Sequence, residues 1–278
     1  MPEGHTLHRL AADIAATFAG QRVEVSSPQG RFEAEAAQLN GQILEGAETW
    51  GKQLFIEFPG ERYVHVHLGL YGKFLIHDGR APAPVGQVRL RLATPGAYAD
   101  LRGATQCDLW TRDQLEACIV KLGPDPLRPE SDPDRGWARI SRSSVAIAGL
   151  LMQQDVLAGV GNVYRAELLF RHRIDPMRPG KTLRKSQWDA MWADLVVLMA
   201  DGKAKNRIDT VRPEHMPEAM GRPPRVDDHG GEVYVYRRHG QHCLGCDHPV
   251  RTVEYLGRNL FWCAKCQPRF RSRAGSRT

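Results

Sequence analysis

Residues 243–266 read CLGCDHPVRTVEYLGRNLFWCAKC. Cys243 and Cys246 form one Cys-x-x-Cys pair and Cys263 and Cys266 another, with sixteen residues between them. That spacing lets two tight knuckles close one tetrahedral thiolate site across a hairpin, and zinc is the expected ion. Four thiolates leave no open position for water, so the site is structural and folds a segment too small to bury a core of its own. Within the hairpin Arg251 and Arg258 alternate with Tyr255, Phe261 and Trp262, and Gly257-Arg258-Asn259 marks the turn. An arginine at such a fingertip reaches phosphate or enters a groove; a solvated turn arginine is the plainer reading of the same residue.

The rest of the chain sets the context for this finger. Its 278 residues are 42% apolar, enough for packed cores and for two or three units. No run of about eighteen apolar residues occurs, and no basic segment followed by an apolar one opens the chain. A cytoplasmic protein with neither a membrane span nor a secretion signal is expected, and there paired cysteines hold metal rather than disulfides. Cys107 and Cys118 are expected in the core. The formal charge of +6 and a pI near 9.1 favour a polyanionic partner.

Along the chain, Leu7, Leu10, Ala11, Ile14 and Phe18 recur at helical steps, with Thr6 as N-cap and Gly20 as stop, which predicts a helix over 6–20. Segments 21–25, 31–36, 42–47, 52–58, 62–68, 72–77, 86–93 and 97–102 read as short strands between Gly, Pro and Asn turns, so an antiparallel sandwich is expected. A helix at 112–121 follows. The Pro- and Asp-rich stretch from Leu122 to Asp134 marks a domain boundary. From 141 to about 202 the spacing is helical, including a mostly apolar run from Ala190 to Met199. A polar connection at 212–228 leads to the compact β unit with the cysteines. The tail at 269–278, with Arg269, Arg271, Arg273 and Arg277, is expected to be disordered.

Several further motifs carry chemistry. Gln154–Glu167 reads QDVLAGVGNVYRAE; Gly159 and Gly161 permit a backbone turn and Asn162 opens the next helix, whose N–H groups suit a phosphate. Glycine turns also join helices with no ligand in view. Lys52 follows Gly51 at a turn and either clamps a phosphate or is an ordinary exposed lysine. His5, His8, His65 and His67 read as core or hydrogen-bonding histidines. The chain opens Met1-Pro2-Glu3-Gly4, and removal of Met1 would leave Pro2 with a secondary amine at the terminus. Such an amine titrates near ~8 against ~10.4 for lysine, so roughly two hundred times more of it is unprotonated at neutral pH. Attack on an anomeric carbon gives an iminium that acidifies the neighbouring C–H, and Glu3 stands beside it to move protons.

Pro2-Glu3, Gly51-Lys52, His67-x-x-Leu70-x-Gly72, Asp100-x-Arg102, the 123–127 hinge GPDPL, Gly159-x-Gly161-Asn162-x-Tyr164-x-x-Glu167 and the four-cysteine finger stand in one order from residue 2 to about 267. This combination resembles the formamidopyrimidine-DNA glycosylase and endonuclease VIII family. The resemblance implies an α+β protein: an N-terminal antiparallel β-sandwich flanked by helices (1–122), a hinge (123–135), a mainly α-helical domain with a helix-two-turns-helix element (136–228), a C-terminal β-hairpin zinc finger (229–268) and a basic tail (269–278), with a DNA cleft between the domains. It also implies a base-excision-repair glycosylase and abasic-site lyase, with damaged DNA as partner, one structural Zn2+, no small-molecule cofactor and a monomeric chain. Carried over by position, Pro2 is the Schiff-base nucleophile and Glu3 the general acid/base. Lys52, Asn162 and Arg258 clamp phosphate, Leu70 with Tyr71 fills the hole left by a flipped base, and Arg102 contacts the orphaned partner base. The chain departs from the family pattern at Thr6, where a second glutamate is usual, so either turnover is slower or His5 or a water handles that proton. A non-catalytic damaged-DNA-binding homologue is the alternative this departure raises. Gly4, Leu70-Tyr71 and Ala104 lean toward the endonuclease VIII branch and oxidised pyrimidines.

Overall fold

A computed structural model of the chain describes residues 2–226 and 231–271. It divides into two compact units, one ending at Leu122 and the other beginning at Gly123. The removal of Met1, the domain limit placed at 228 and the disorder expected for most of the tail fall outside the described residues.

In the first unit, period-two alternation builds two antiparallel sheets. One joins Glu24–Ser26 (β1), Leu90–Ala93 (β6), Ala97–Arg102 (β7) and Lys73–Asp78 (β5), in that spatial order. The other joins Gly46–Trp50 (β2), Gln53–Phe58 (β3), Arg62–His67 (β4) and Gln106–Thr111 (β8). Leu54 pairs with Val66 and Ile56 with Val64, so one face of the second sheet carries a buried aliphatic row. Leu90, Leu92 and Leu101 complete the same core from the first sheet, and the helix Gly4–Phe18 (α1) adds Leu7, Ile14 and Phe18 to it. The opposite face of the second sheet buries Phe55 and Tyr63 against Leu115 of the helix Arg112–Lys121 (α3). There His65 stacks on Trp110 with ring centroids 3.8 Å apart.

Several local expectations are corrected. The first helix has Glu3, not Thr6, at its N-cap and ends at Phe18, and the strand expected at 42–47 lies at Gly46–Trp50. The segment expected as a strand at 31–36 forms the helix Glu33–Leu39 (α2), because Phe32, Ala36 and Leu39 bury at helical spacing and Glu33 and Glu35 sit where the helix dipole favours acids. Residues 106–111, to which no strand was assigned, form β8, with Cys107 facing Val66 and Asp108 facing His65 on β4. The sandwich and the helix at 112–121 stand as expected.

The second unit is mainly helical: Pro133–Ile140 (α4), Ile147–Leu150 (α5), Asn162–Arg171 (α6), Lys185–Lys205 (α7) and Pro217–Met220 (α8), followed by the hairpin Val250–Tyr255 (β9) and Arg258–Cys263 (β10). Every residue of α6 from Asn162 to Phe170 is buried, including Arg165 and Glu167. Around it pack Trp188, Met191, Leu195 and Met199, which line one side of α7. Among the described residues no helix is long and apolar enough to cross a membrane.

Glu167 organises this unit. Its carboxylate, with no exposure, accepts hydrogen bonds from the Thr210 hydroxyl (2.5 Å) and from the backbone N–H groups of Tyr234 (2.7 Å), Val235 (2.8 Å) and Tyr236 (2.8 Å). A buried carboxylate is tolerable only with such donors, and its removal would leave the three amides without their acceptor. Glu167→Ala therefore orphans three buried N–H groups and lowers the urea-derived unfolding free energy by at least about 3 kcal/mol, while Glu167→Gln, which keeps one acceptor oxygen, loses less. A loss under about 1 kcal/mol for Glu167→Ala contradicts this assignment.

Candidate functional site

The start of the chain is tucked into the first unit. Pro2 is half-buried, Glu3 has no exposed surface, and the Glu3 carbonyl accepts the Thr6 N–H at 2.9 Å as α1 begins. His5 lies in the first turn of α1 with 4% of its surface exposed, its Nε2 3.2 Å from the Thr6 hydroxyl. Burial, then the positive charge of the terminus and His8, push the His5 imidazole down to about 4. At neutral pH it is therefore uncharged and carries a lone pair.

Lys52 occupies the two-residue turn joining β2 to β3, entered through Gly51 at φ 60°, in the left-handed region that suits glycine. His67 donates from Nδ1 to the Lys52 carbonyl at 3.1 Å, and His65 donates from Nε2 to the Gln53 side chain at 2.8 Å, so two histidines of β4 brace this turn. Leu70 and Tyr71 stand on the loop between β4 and β5 with 41% and 85% exposure, unusual for apolar side chains of this size. The loop needs its glycines: a Cβ on Gly69 would lie 1.9 Å from the Thr105 hydroxyl, and one on Gly72 would lie 2.3 Å from the Leu68 carbonyl oxygen. Arg102 donates to Asp100 at 2.8 Å and to the Val85 carbonyl at 3.3 Å. Asp100 also holds Arg91 through two hydrogen bonds; burial pushes its carboxyl up, but the two arginines outweigh this and keep it below the usual carboxylate range.

In the second unit the structure brings Asn162 to the hairpin. Asn162 donates from Nδ2 to the carbonyl of Asn259, the neighbour of Arg258, at 3.0 Å. Arg165 bonds the Asn162 side-chain oxygen and also reaches Asn259. The preceding turn is clamped by Gln154, which accepts from the Gly159 N–H at 3.0 Å and donates to the Val160 carbonyl at 2.9 Å. Sequence reading missed Arg165, Asn259 and Gln154 as partners of this site. The one available signal was the charge of Arg165 among the largely apolar residues of α6.

The four cysteines converge. Their sulfurs lie within 4.8 Å of one another, with Cys243 to Cys266 at 3.9 Å and Cys246 to Cys263 at 3.4 Å. A tetrahedral ion with bonds of about 2.3 Å places its sulfurs about 3.8 Å apart, so the cluster fits a metal and the sulfurs are too distant for disulfides. Backbone N–H groups of Gly245 and His248 bond the Cys243 and Cys246 sulfurs and shape the first knuckle.

These features agree with comparisons to known proteins. The formamidopyrimidine-DNA glycosylase N-terminal domain matches residues 1–107, and the formamidopyrimidine-DNA glycosylase H2TH domain matches 122–211. Endonuclease 8 1 of Mycobacterium tuberculosis (strain H37Rv) is 49% identical over 274 residues, covering 96% of this chain and 100% of the relative. A formamidopyrimidine-DNA glycosylase of a Nocardioides species is 31% identical over 249 residues, covering 86% of this chain and 81% of the relative. In fold, the chain is similar to Lactococcus lactis Fpg in complex with DNA containing an abasic site, with a TM-score of 0.79 at 20% identity, covering 96% of this chain and 100% of that one. The chain belongs to the formamidopyrimidine-DNA glycosylase and endonuclease VIII family of DNA-repair glycosylases with abasic-site lyase activity.

Two histidines of the first unit give it an acid signature. His5 and His65 are both buried and both pushed to about 4 from 6.5, His65 by burial and then by His67. The unfolded chain takes up these protons near pH 6.5 and the folded one only near 4, so the stabilisation is full above 6.5 and is lost as pH falls toward 4. Unfolding free energy should drop by about 2 kcal/mol per histidine between about pH 7 and pH 5, and His65→Phe should remove roughly half of that slope. A pH-independent stability over this interval contradicts it.

Proposed function

We propose that this chain excises oxidised pyrimidines from DNA in the cytoplasm and cuts the resulting abasic site by β,δ-elimination through a Schiff base on Pro2. The observation that carries the reading is Pro2 followed by a fully buried Glu3 at the opening of α1, in a chain 49% identical to a protein named Endonuclease 8 1. Loss of Met1 leaves the Pro2 imino nitrogen as terminus. Its lone pair attacks C1′ of the damaged nucleotide while the glycosidic bond breaks, and the base departs with a proton supplied through Glu3. Glu3 then takes the proton from the nitrogen and returns it to O4′ as the C1′–O4′ bond opens, and the C1′=N iminium that results draws electrons from the C2′–H bond. A base takes that proton, and the 3′-phosphate leaves; a second elimination releases the 5′-phosphate.

Lys52, Asn162 and Arg258 are assigned to the phosphates flanking the lesion, which they position by charge and hydrogen bonding. Leu70 and Tyr71, apolar and exposed on a glycine-constrained loop, are assigned to the gap in the base stack. Arg102 is assigned to the partner base, reaching it from its ion pair with Asp100. At Thr6, where a second glutamate is usual in the family, His5 stands beside the hydroxyl as a buried, weakly basic imidazole, which leaves that proton to a water. Residues 1–122 form the catalytic domain, and the protein acts as a monomer. The cysteine cluster holds one zinc ion that fixes the hairpin and takes no part in the chemistry.

An uncleaved N-terminal extension turns the Pro2 nitrogen into an amide and should abolish the protein–DNA adduct trapped by borohydride on an oxidised-pyrimidine duplex; trapping at full yield rules Pro2 out. Elemental analysis should find one zinc per chain. Cys246→Ser should lower that content and weaken DNA retention at least tenfold; unchanged retention by zinc-free protein separates the finger from binding.

A further inference from the structure

A cavity of about 580 Å³ lies in the second unit, and none of the residues assigned above is in its lining. Its walls are the loop 175–179, one face of the hairpin, Ala264 within the last knuckle, and Gln267, Arg269 and Phe270 beyond it. These walls are fixed to one another. The Asp175 carboxylate accepts the Met177 N–H at 3.0 Å with one oxygen and the Phe270 N–H at 2.7 Å with the other. The Gln267 amide donates to the Ile174 carbonyl at 2.9 Å and accepts the Cys263 N–H at 3.0 Å. The cavity is thus built, and its volume is ordinary for a site that takes a small ligand.

Its lining is aromatic below and cationic at the rim. Trp262, Phe270 and Leu260 supply an apolar floor, with Trp262 directly across the ladder from Arg251. Arg178 lies over the Phe270 ring at 4.5 Å. Arg251 and Arg269 are exposed, and among the described residues neither has an ion-pair partner. The one acid in the lining, Asp175, has both oxygens taken by backbone amides. Glu254 alternates to the other face of β9. Three arginines around a flat apolar floor call for a ligand that is both an aromatic ring and an anion.

We propose that this cavity binds a single unpaired nucleotide, its base stacked on Trp262 and its phosphate held by Arg251 and Arg269. The ligand comes either free, as a mononucleotide, or as one nucleotide of a single strand; the chemistry recognised is the same. The site does not depend on Pro2 being the nucleophile, since none of its residues belongs to that machinery.

Calorimetric titration of the full-length protein with dTMP, thymidine, inorganic phosphate and a thymidine tetranucleotide tests it. The expected result is dTMP binding at least tenfold tighter than thymidine or phosphate. Arg251→Ala and Trp262→Leu should each weaken dTMP binding at least tenfold, while Arg258→Ala leaves it within twofold. Arg251 is exposed and its truncation preserves the fold; metal content and thermal melting check the Trp262 variant. A tetranucleotide that binds as tightly as dTMP, with the same sensitivity to Arg251→Ala, assigns the site to a strand, and one that binds at least tenfold more weakly assigns it to the free nucleotide. Absence of dTMP binding, equal binding of phosphate and dTMP, or dTMP binding indifferent to Arg251→Ala overturns the proposal.

Discussion

A fully buried carboxylate must find its hydrogen bonds within the protein, and in the second unit that requirement ties α6 to the chain that leads into the cysteine finger. Glu167 projects from α6 into the chain at 234–236 and into Thr210, gathering segments 43 to 69 residues away. Phe170 stacks on Tyr234, Phe261 of the hairpin meets Tyr236 edge-on, and Arg238 donates to the carbonyls of Tyr234 and His242. The first cysteine knuckle is therefore tied to α6 through Arg238, and the second through Gln267 and Ile174. Arg258 owes its place at the tip, beside the start of the same helix, to these attachments.

The first unit meets a different constraint. The role proposed for Pro2 asks that the start of the chain be held still, although ends ordinarily fray. Burial of Glu3, the bond from Thr6 to its carbonyl, and an uncharged His5 in the first turn fix the entry to α1 without adding a cation near Pro2. The same unit presents Leu70 and Tyr71 on a loop whose backbone only glycine accommodates at 69 and 72. Exposed apolar side chains on so constrained a support are suited to a partner surface rather than to solvent.

Sequence patterns reveal these features in proportion to how local they are. The knuckles, the strands at 53–58, 62–67 and 97–102, and the helix at 112–121 follow from spacing alone. The helix at 33–39 was hidden because Phe32, Ala36 and Leu39 make too short a run to separate its period from that of a strand. The strand at 106–111 pairs with residues some forty positions earlier, and its Asp108 and Gln106 dilute the apolar signal. The site divides the same way. The candidates Pro2, Lys52, Asn162 and Arg258 come from motifs, whereas the bracing of Lys52 by His67, the contact of Asn162 with Asn259 and the bonding of Thr6 to His5 depend on geometry that no spacing encodes.

Covalent capture by the imino nitrogen of Pro2 is the claim on which the chemistry rests. Its direct measure is peptide mapping by mass spectrometry of the borohydride-reduced complex formed with an abasic-site oligonucleotide. A sugar remnant on an N-terminal peptide that begins at Pro2, with Met1 absent, is the predicted result. A remnant carried by Lys52 or any other lysine, or by a peptide that still retains Met1, contradicts the account.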